Sequence, residues 1–289
     1  VIATHGRHLF IQGQDGSVVR CHLRGRRVEA VVGDQVLWSA SGDEGVVDSV
    51  LERRSLLYRQ DELRTKLFAA NIDQMLVLVA ADPEFSESQL ARALVAAEAA
   101  RIRPLIGLNK LDLAQGFQRA RQRLQPYRDM GYTVLELGLK TSETTAKERL
   151  LDVLLGHQTL VLGPSGTGKS TMINLLIPGA LASTNEVSRA LNSGKHTTTS
   201  TTLYWLDSER QSALIDSPGF QAFGLHHLRA EDLSQLMPDL RRHLGHCRFY
   251  NCTHRHEPGC GVMTHLTTIG ESRYRLYREL FDELSTGHH

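Results

Sequence analysis

The chain has 289 residues, 41% hydrophobic and 22% charged, which is room for roughly two domains of ~100–200 residues with sizeable cores. A formal net charge of +1 excludes a global basic field that would by itself demand nucleic acid. The longest apolar run, Met75 to Ala81, falls far short of the ~20 residues a bilayer span needs, and no charged-then-apolar leader pattern marks a secretory signal. The sequence begins at Val1 rather than Met, so a preceding N-terminal segment is expected.

The first stretch reads as short strands and turns. Leu9-Phe10-Ile11 is followed by the polar run Gln12-Gly13-Gln14-Asp15-Gly16, and Val18 to Leu23 can pair back. Val28 to Val32, Gln35 to Trp38 and Gly45 to Leu51 are further strand candidates, with Gly33-Asp34 and Ser41-Gly42-Asp43 between them. So many strands in so little chain predict a small β-barrel, of the OB type or an SH3-like type by pattern alone. Basic residues cluster here, Arg20, Arg24, Arg26 and Arg27, then Arg53, Arg54, Arg59, Arg64 and Lys66, with acids interleaved. They make either a solvated surface or a phosphate-contacting face.

From about residue 71 the rhythm changes to alternating strands and helices. Strands are expected at Met75–Ala80, Leu105–Leu108, Thr133–Leu137, Thr159–Leu162 and Ala213–Ile215. Helices are expected at Ser88–Arg101, Ala114–Met130 and Ala146–Leu155. This alternation predicts a mainly parallel sheet covered on both faces. Beyond about 225 the chain is polar and helical, closing with a helix from Glu271 to Leu284 whose apolar side carries Tyr274, Leu276, Tyr277, Leu280, Phe281 and Leu284.

Gly163-Pro164-Ser165-Gly166-Thr167-Gly168-Lys169-Ser170 follows a strand and opens a helix, the setting a phosphate loop requires. Its glycines let backbone N–H groups turn inward on phosphate oxygens, and the helix start adds partial positive charge. Lys169 can neutralise the β- and γ-phosphates, the Ser170 hydroxyl can enter a Mg²⁺ shell, and Thr171 follows in the same turn. Asn109-Lys110-Leu111-Asp112 follows another strand. A carboxylate at Asp112 can accept from both N1–H and N2–H₂ of guanine, whereas adenine presents an acceptor at N1. Asn109 can bond the N7 side of the base or tie loops together, and the Lys110 stem can lie over the ring. The guanine reader thus precedes the phosphate loop in the chain.

Asp216-Ser217-Pro218-Gly219 fits D-x-x-G, with Asp216 placed to reach magnesium and the Gly219 N–H to sense a γ-phosphate. Between these motifs lies Gly194-Lys195-His196-Thr197-Thr198-Thr199, read as a switch loop in which Thr198 or Thr199 binds Mg²⁺. A glutamine after D-x-x-G would orient water in Ras-like enzymes, but here Phe220 stands there. His196 is then the candidate catalytic group, acting as a neutral imidazole near pH 7; the bland alternative is an exposed histidine.

Three of the four cysteines, Cys247, Cys252 and Cys260, fall within fourteen residues together with His254. Three thiolates and an imidazole make the Cys₃His set of a closed structural zinc site. His243, His246 and His256 are spare ligands.

With these motifs the chain resembles the ribosome small-subunit-dependent GTPase A (RsgA) family of bacteria. The resemblance also runs through Arg-Thr-Lys-Leu-Phe-Ala-Ala-Asn-Ile-Asp at 64–73 and His-Thr-Thr-Thr at 196–199. It implies an OB-fold barrel over residues 1–66, a circularly permuted P-loop GTPase domain over 67–224 and a helical zinc-binding domain over 225–289. It further implies a cytoplasmic, monomeric GTP hydrolase that binds GTP and GDP with Mg²⁺ and holds one structural Zn²⁺ on Cys247, Cys252, His254 and Cys260. Its partner would be the small ribosomal subunit and its rRNA, with hydrolysis stimulated by the subunit in late maturation, a catalytic His196, and no membrane. One departure is Leu137-Gly138-Leu139-Lys140-Thr141 where such enzymes carry a Ser/Ala-rich loop under the guanine O6. The competing readings are a nucleic-acid-binding module with a vestigial GTPase and a small-molecule P-loop kinase, which Asn-Lys-x-Asp argues against.

Overall fold

A computed structural model of the chain describes residues 1–5, 8–25, 29–60, 65–180, 201–217 and 224–286, with Arg59, Gln60 and Lys66 described by backbone only. The first strands are β1 (Ala3–His5), β2 (His8–Gln12), β3 (Val18–Leu23), β4 (Val36–Ser41) and β5 (Glu44–Val50). They run in the order β1-β2-β3-β5-β4. β3 and β5 are parallel, and the other pairs are antiparallel. This is the Greek-key order of an OB barrel. Alternation along β2 turns Leu9 and Ile11 inward, where they meet Cys21 and Val47.

The expected strand at Val28–Val32 does not form over its described part, 29–32. The Asp34 carboxylate takes the Val31 N–H at 2.8 Å and is itself gripped by Arg53 at 2.7 and 2.8 Å. A side chain thus takes a backbone donor that a ladder would have used. Val32 is buried all the same, with its carbonyl accepting from Ala70 N. Ala70 ends a ribbon absent from the sequence reading, β6 (Leu56–Gln60) against β7 (Thr65–Ala70).

Next come β8 (Gln74–Ala80), α1 (Glu87–Ala99), β9 (Arg103–Asn109), α2 (Ala114–Arg123), α3 (Gln125–Asp129) and β10 (Thr133–Glu136). They are followed by α4 (Glu143–Leu154), β11 (Gln158–Leu162), α5 (Lys169–Leu176), β12 (Thr202–Trp205) and β13 (Ala213–Asp216). The sheet order is β10-β9-β8-β11-β13-β12. Neighbours are parallel except β12 with β13. Every residue of β8 is buried because it is covered on both sides. Met75, Val77 and Val79 join the core under α1, while Leu76 and Leu78 face α4 and α5 residues such as Leu150 and Met172. Ser86 caps α1 by accepting from Gln89 N at 3.3 Å. The single helix expected over Ala114–Met130 breaks into α2 and α3 because Pro126, in the first turn of α3, has no N–H to continue the ladder. β12 pairs with β1 at Thr202 and Ala3, so barrel and parallel sheet share one continuous sheet.

The remainder holds a 3₁₀ helix (Ala230–Leu236), α6 (Pro238–Arg241), a 3₁₀ turn (Leu244–His246), α7 (Gly261–Thr264), α8 (Leu266–Ile269) and α9 (Glu271–Thr286). α9 buries Leu276, Tyr277, Leu280, Phe281 and Leu284 at helical spacing. It also buries Arg273, which grips Asp239 of α6 at 2.7 Å and lies 5.1 Å from the Tyr127 ring centroid of α3. Both partners are nearly inaccessible, Arg273 at 3% and Asp239 at 8%. Arg273→Met would leave Asp239 charged, buried and unpaired, at a cost of about 3–5 kcal/mol. A shift in urea midpoint worth less than about 1 kcal/mol would show that the pair behaves as a surface one.

Candidate functional site

The carboxyl ends of β9, β11 and β13 bring Asn109, Gly163 and Asp216 to one edge of the sheet. There β11 has β8 on one side and β13 on the other, the crevice position at which open α/β sheets take ligands. The loop Gly163–Gly168 leaves β11 and enters α5 at Lys169. Gly168 sits at φ 102°, and a Cβ there would come within 2.4 Å of Asn109 Nδ2, so only glycine fits on both counts.

Of the two uses open to Asn109, the structure shows the tie between loops. Its Nδ2 donates to Thr167 O at 2.9 Å and its Oδ1 accepts from Leu139 N at 3.2 Å. One buried amide therefore ties the phosphate loop to the loop after β10. The Leu137–Thr141 departure thus retains support: Leu137 and Leu139 are buried, and Thr141 and Ser142 donate their N–H groups to Gly138 O. Lys110 takes a positive φ of 68° and places Nζ 3.8 Å from Asp82. Leu111 and Asp112 are exposed at this mouth, with the Asp112 carboxylate free of any hydrogen bond among the described residues. A cleft of ≈ 540 Å³, touching Leu139, Glu143, Ser170, Thr171 and Asn174, lies between the loop after β10 and α5.

At the other end of the phosphate loop, Lys169 Nζ lies 3.8 Å from Asp216 Oδ1. That oxygen is buried without a hydrogen-bond partner among the described residues. Burial raises the Asp216 carboxyl above its ordinary range, and Lys169 only partly opposes this. A buried, orphaned carboxylate oxygen near Lys169, whose neighbour in the chain, Ser170, is exposed, suits a hard divalent cation that keeps several waters. Nearby, the hydroxyls of Thr201 and Ser217 approach to 3.3 Å. Pro164, Ser165 and Gly166 complete the loop's rim, with the Pro164 carbonyl accepting from Thr167 Oγ1 at 2.9 Å. His196, Thr198, Thr199 and Gly219 lie outside the described residues.

In the C-terminal part, the ligand atoms of Cys247, Cys252, His254 and Cys260 all lie within 4.8 Å of one another. His254 Nδ1 is 3.5 Å from the sulfurs of Cys247 and Cys260. Of the spare histidines, His243 stacks on His265 instead, with ring centroids 4.2 Å apart. Burial lowers the His254 pKa, which favours the neutral, ligating imidazole. Burial also pushes the Cys252 thiol up to about 12, and Cys260 and Cys247 add to it; a divalent metal inverts that balance by stabilising thiolate. Gly261 N and Met263 N donate to the sulfurs of Cys247 and Cys260, orienting them from outside the ligand set.

The sequence reading missed Glu257. Its carboxylate accepts from Thr253 N, Thr253 Oγ1, Arg255 N and His256 N, and these bonds hold its pKa well below the carboxylate range against the effect of burial. It thereby shapes the turn that carries His254. A signal was available: Glu257 is the first acid after Asp239.

A model of the RsgA GTPase family matches residues 50–226. The chain belongs to the RsgA GTPase family. The small ribosomal subunit biogenesis GTPase RsgA of Variovorax paradoxus (strain S110) is 58% identical over 291 residues, covering 99% of this chain and 92% of that protein. The protein of the same name from Paraburkholderia phymatum is 52% identical over 289 residues, covering 99% and 91%. Among solved structures, YjeQ from Thermotoga maritima superposes with a TM-score of 0.74 at 27% identity, covering 98% of this chain and 96% of that one. YloQ, described as a circularly permuted GTPase, gives 0.71 at 25%, covering 99% and 94%.

As an RsgA-family GTPase, the chain is a GTP hydrolase that works with Mg²⁺ bound to GTP, and its Cys₃His cluster fits Zn²⁺. The permutation is visible in the sheet: β9, which leads into Asn109-Lys110-Leu111-Asp112, comes before β11, which leads into the Gly163–Ser170 loop, yet β8 alone separates them in space. Asp112→Asn supplies one acceptor and one donor where guanine offers two donors. It is expected to weaken GTP binding by more than about 100-fold and to improve binding of xanthosine triphosphate, whose position 2 carries an oxygen. Unchanged GTP affinity in a fluorescence titration would remove Asp112 from base recognition.

Proposed function

We propose that this chain binds the small ribosomal subunit and hydrolyses GTP in its late maturation, and that the subunit stimulates the hydrolysis. The observation that carries the reading is the Asn109 bridge between the phosphate loop and the loop after β10, in a chain 58% identical to a small ribosomal subunit biogenesis GTPase. Gly163 to Thr171 cradle the phosphates, Asn109 to Asp112 receive the guanine, and Gly219 senses the γ-phosphate. Magnesium, held by Ser170, Asp216 and Thr198 or Thr199, neutralises charge on the phosphates. His196 orients or deprotonates the attacking water. The parts divide into a barrel (1–66), a GTPase domain (67–224) and a zinc domain (225–289), with barrel and zinc domain touching rRNA. The protein acts as a cytoplasmic monomer; no helix among the described residues is long and apolar enough to cross a membrane.

GTP turnover measured with and without purified small subunits tests this. The expected result is slow turnover alone and at least about 10-fold stimulation, with His196→Ala losing about 10²–10⁴-fold of the stimulated rate. No stimulation of the wild type would sink the ribosomal reading and leave the GTPase intact. Equal stimulated rates would remove His196 alone.

A further inference from the structure

The turn between two zinc-site ligands, Cys247 and Cys252, carries Arg248, Phe249 and Tyr250. Tyr250 is 103% exposed and Phe249 40%, whereas the other large aromatics among the described residues are buried or half-buried. The turn is held in place: Arg248 N donates to Gly259 O at 3.0 Å and Cys252 N to Phe249 O at 3.3 Å. Two ligand positions flank it, so the aromatics are displayed on a preorganised knuckle and little ordering is left to cost affinity.

Charge points to the partner. Residues 240–256 contain no Asp or Glu and four arginines, against a net charge of +1 for the whole chain. Three of those arginines are engaged: Arg241 with Glu98, Arg242 with the Asp129 carbonyl and Arg255 with Asp282. Arg248 has no carboxylate within ion-pair distance among the described residues, and its guanidinium lies 5.5 Å from the Phe249 ring centroid. An exposed aromatic pair beside a free planar cation offers a stacking face and a phosphate contact together, the combination that single-stranded RNA uses. Duplex RNA has no free base face to offer. A protein hot spot would sit in an apolar pocket, whereas Tyr250 is fully exposed and the pair is flanked in the chain by Arg248 and Asn251.

We infer that the Arg248–Phe249–Tyr250 knuckle clamps an unpaired RNA base, with Tyr250 stacking on it and Arg248 meeting its phosphate. This rests on the ribosomal reading above and names the chemistry by which the zinc domain grips rRNA. Tyr250→Ala in the full chain is expected to weaken binding to purified small subunits about tenfold, as loss of one base stack does, and Tyr250→Phe to restore it to within about twofold. Arg248→Ala is expected to reduce the slope of log affinity against log salt by about one. Zinc content and unstimulated GTP hydrolysis should match the wild type in each variant. A photo-crosslinking amino acid at position 250 is expected to label rRNA at an unpaired nucleotide. If the wild type binds subunits and Tyr250→Ala binds equally well, or the crosslink falls on a ribosomal protein, the inference is overturned while the ribosomal reading stands. If the wild type does not bind subunits, both fall.

Discussion

Cys260→Ser is expected to lower the metal content from about one zinc per chain to near zero and to open the segment between residues 244 and 265 to proteolysis. The physical reason is that this segment holds little regular structure, and beyond the ligand set it is anchored mainly by Val262, which is buried in the main core with Leu244 and Met263 packed against it. Its regular structure is a 3₁₀ turn and α7, four residues long, far too short for helices stable on their own. Its polar links to α9 are the hydroxyls of Tyr274 and Tyr277, which donate to the carbonyls of His254 and Thr253 at 2.9 and 2.7 Å, and the Arg255–Asp282 pair, with Arg255 also over the Phe281 ring and His254 beside Tyr277. Zinc in a Cys₃His set contributes on the order of 10 kcal/mol of apparent binding free energy, well above the ~1 kcal/mol of a typical single hydrogen bond. A serine hydroxyl is not ionised at neutral pH and cannot replace the thiolate. GTP affinity should survive within about threefold, because no hydrogen bond among the described residues joins this segment to 109–112 or 163–170. Limited proteolysis with and without a chelator, followed by zinc readdition under reducing conditions, checks the prediction. A Cys260→Ser protein that keeps its zinc and its protease resistance would show that the cluster is not a metal site.

That outcome bears on what a sequence can show. The ligand set was legible because metal chemistry restricts it to a few residue types at short spacing. Glu257 left only the faint mark of being the first acid after Asp239, because three of its four bonds go to backbone N–H groups, which nearly any residue can offer. β8 was legible from its continuous apolar run, since a strand covered on both faces carries no polar interruptions. β1 was not. It has three residues, too few to show an alternation, and it pairs both with neighbouring β2 and, at Ala3, with Thr202 far along the chain. Val28–Val32 shows the opposite failure. Its residues suit a strand, and Val32 is buried as a strand residue would be, but the Asp34 carboxylate takes the Val31 N–H and no ladder forms over the described residues 29–32. Periodicity reports burial, and hydrogen-bond competition decides the backbone. The Asn109–Asp112 and Gly163–Ser170 motifs are separated by fifty residues in the chain, yet Asn109 bonds to both the phosphate loop and Leu139. The motif spelled out its members, and only the fold showed that a single amide holds them in register.

Asp216→Asn is expected to act in opposite directions on stability and on catalysis. In the nucleotide-free protein the Asp216 carboxyl is raised above its ordinary range because burial outweighs the pull of Lys169. A carboxyl raised in the folded state favours folding while protonated. That contribution is full below the unfolded-state value and is lost as pH rises through the folded-state value. At neutral pH the nucleotide-free protein therefore carries a buried carboxylate at a cost, with Oδ1 accepting no hydrogen bond among the described residues. The neutral, isosteric asparagine side chain removes that cost. The melting temperature of the nucleotide-free variant should exceed that of the wild type near pH 7, and the difference should close as pH falls into the range where Asp216 is protonated. Hydrolysis should move the other way. A neutral amide binds a hard divalent cation far more weakly than a carboxylate, and the loss of one charge-stabilising group in such a site costs about 10²–10³ in rate. The coupling is testable in one variant: melting curves from acid to neutral pH without nucleotide, and turnover at saturating GTP and Mg²⁺. A variant less stable than the wild type at pH 7 would mean that the Lys169 pairing outweighs desolvation. Unchanged turnover would place the magnesium ligand elsewhere. The combination expected, a more stable and nearly inactive protein, would identify Asp216 as a carboxylate kept buried for its chemistry at the expense of the apo fold.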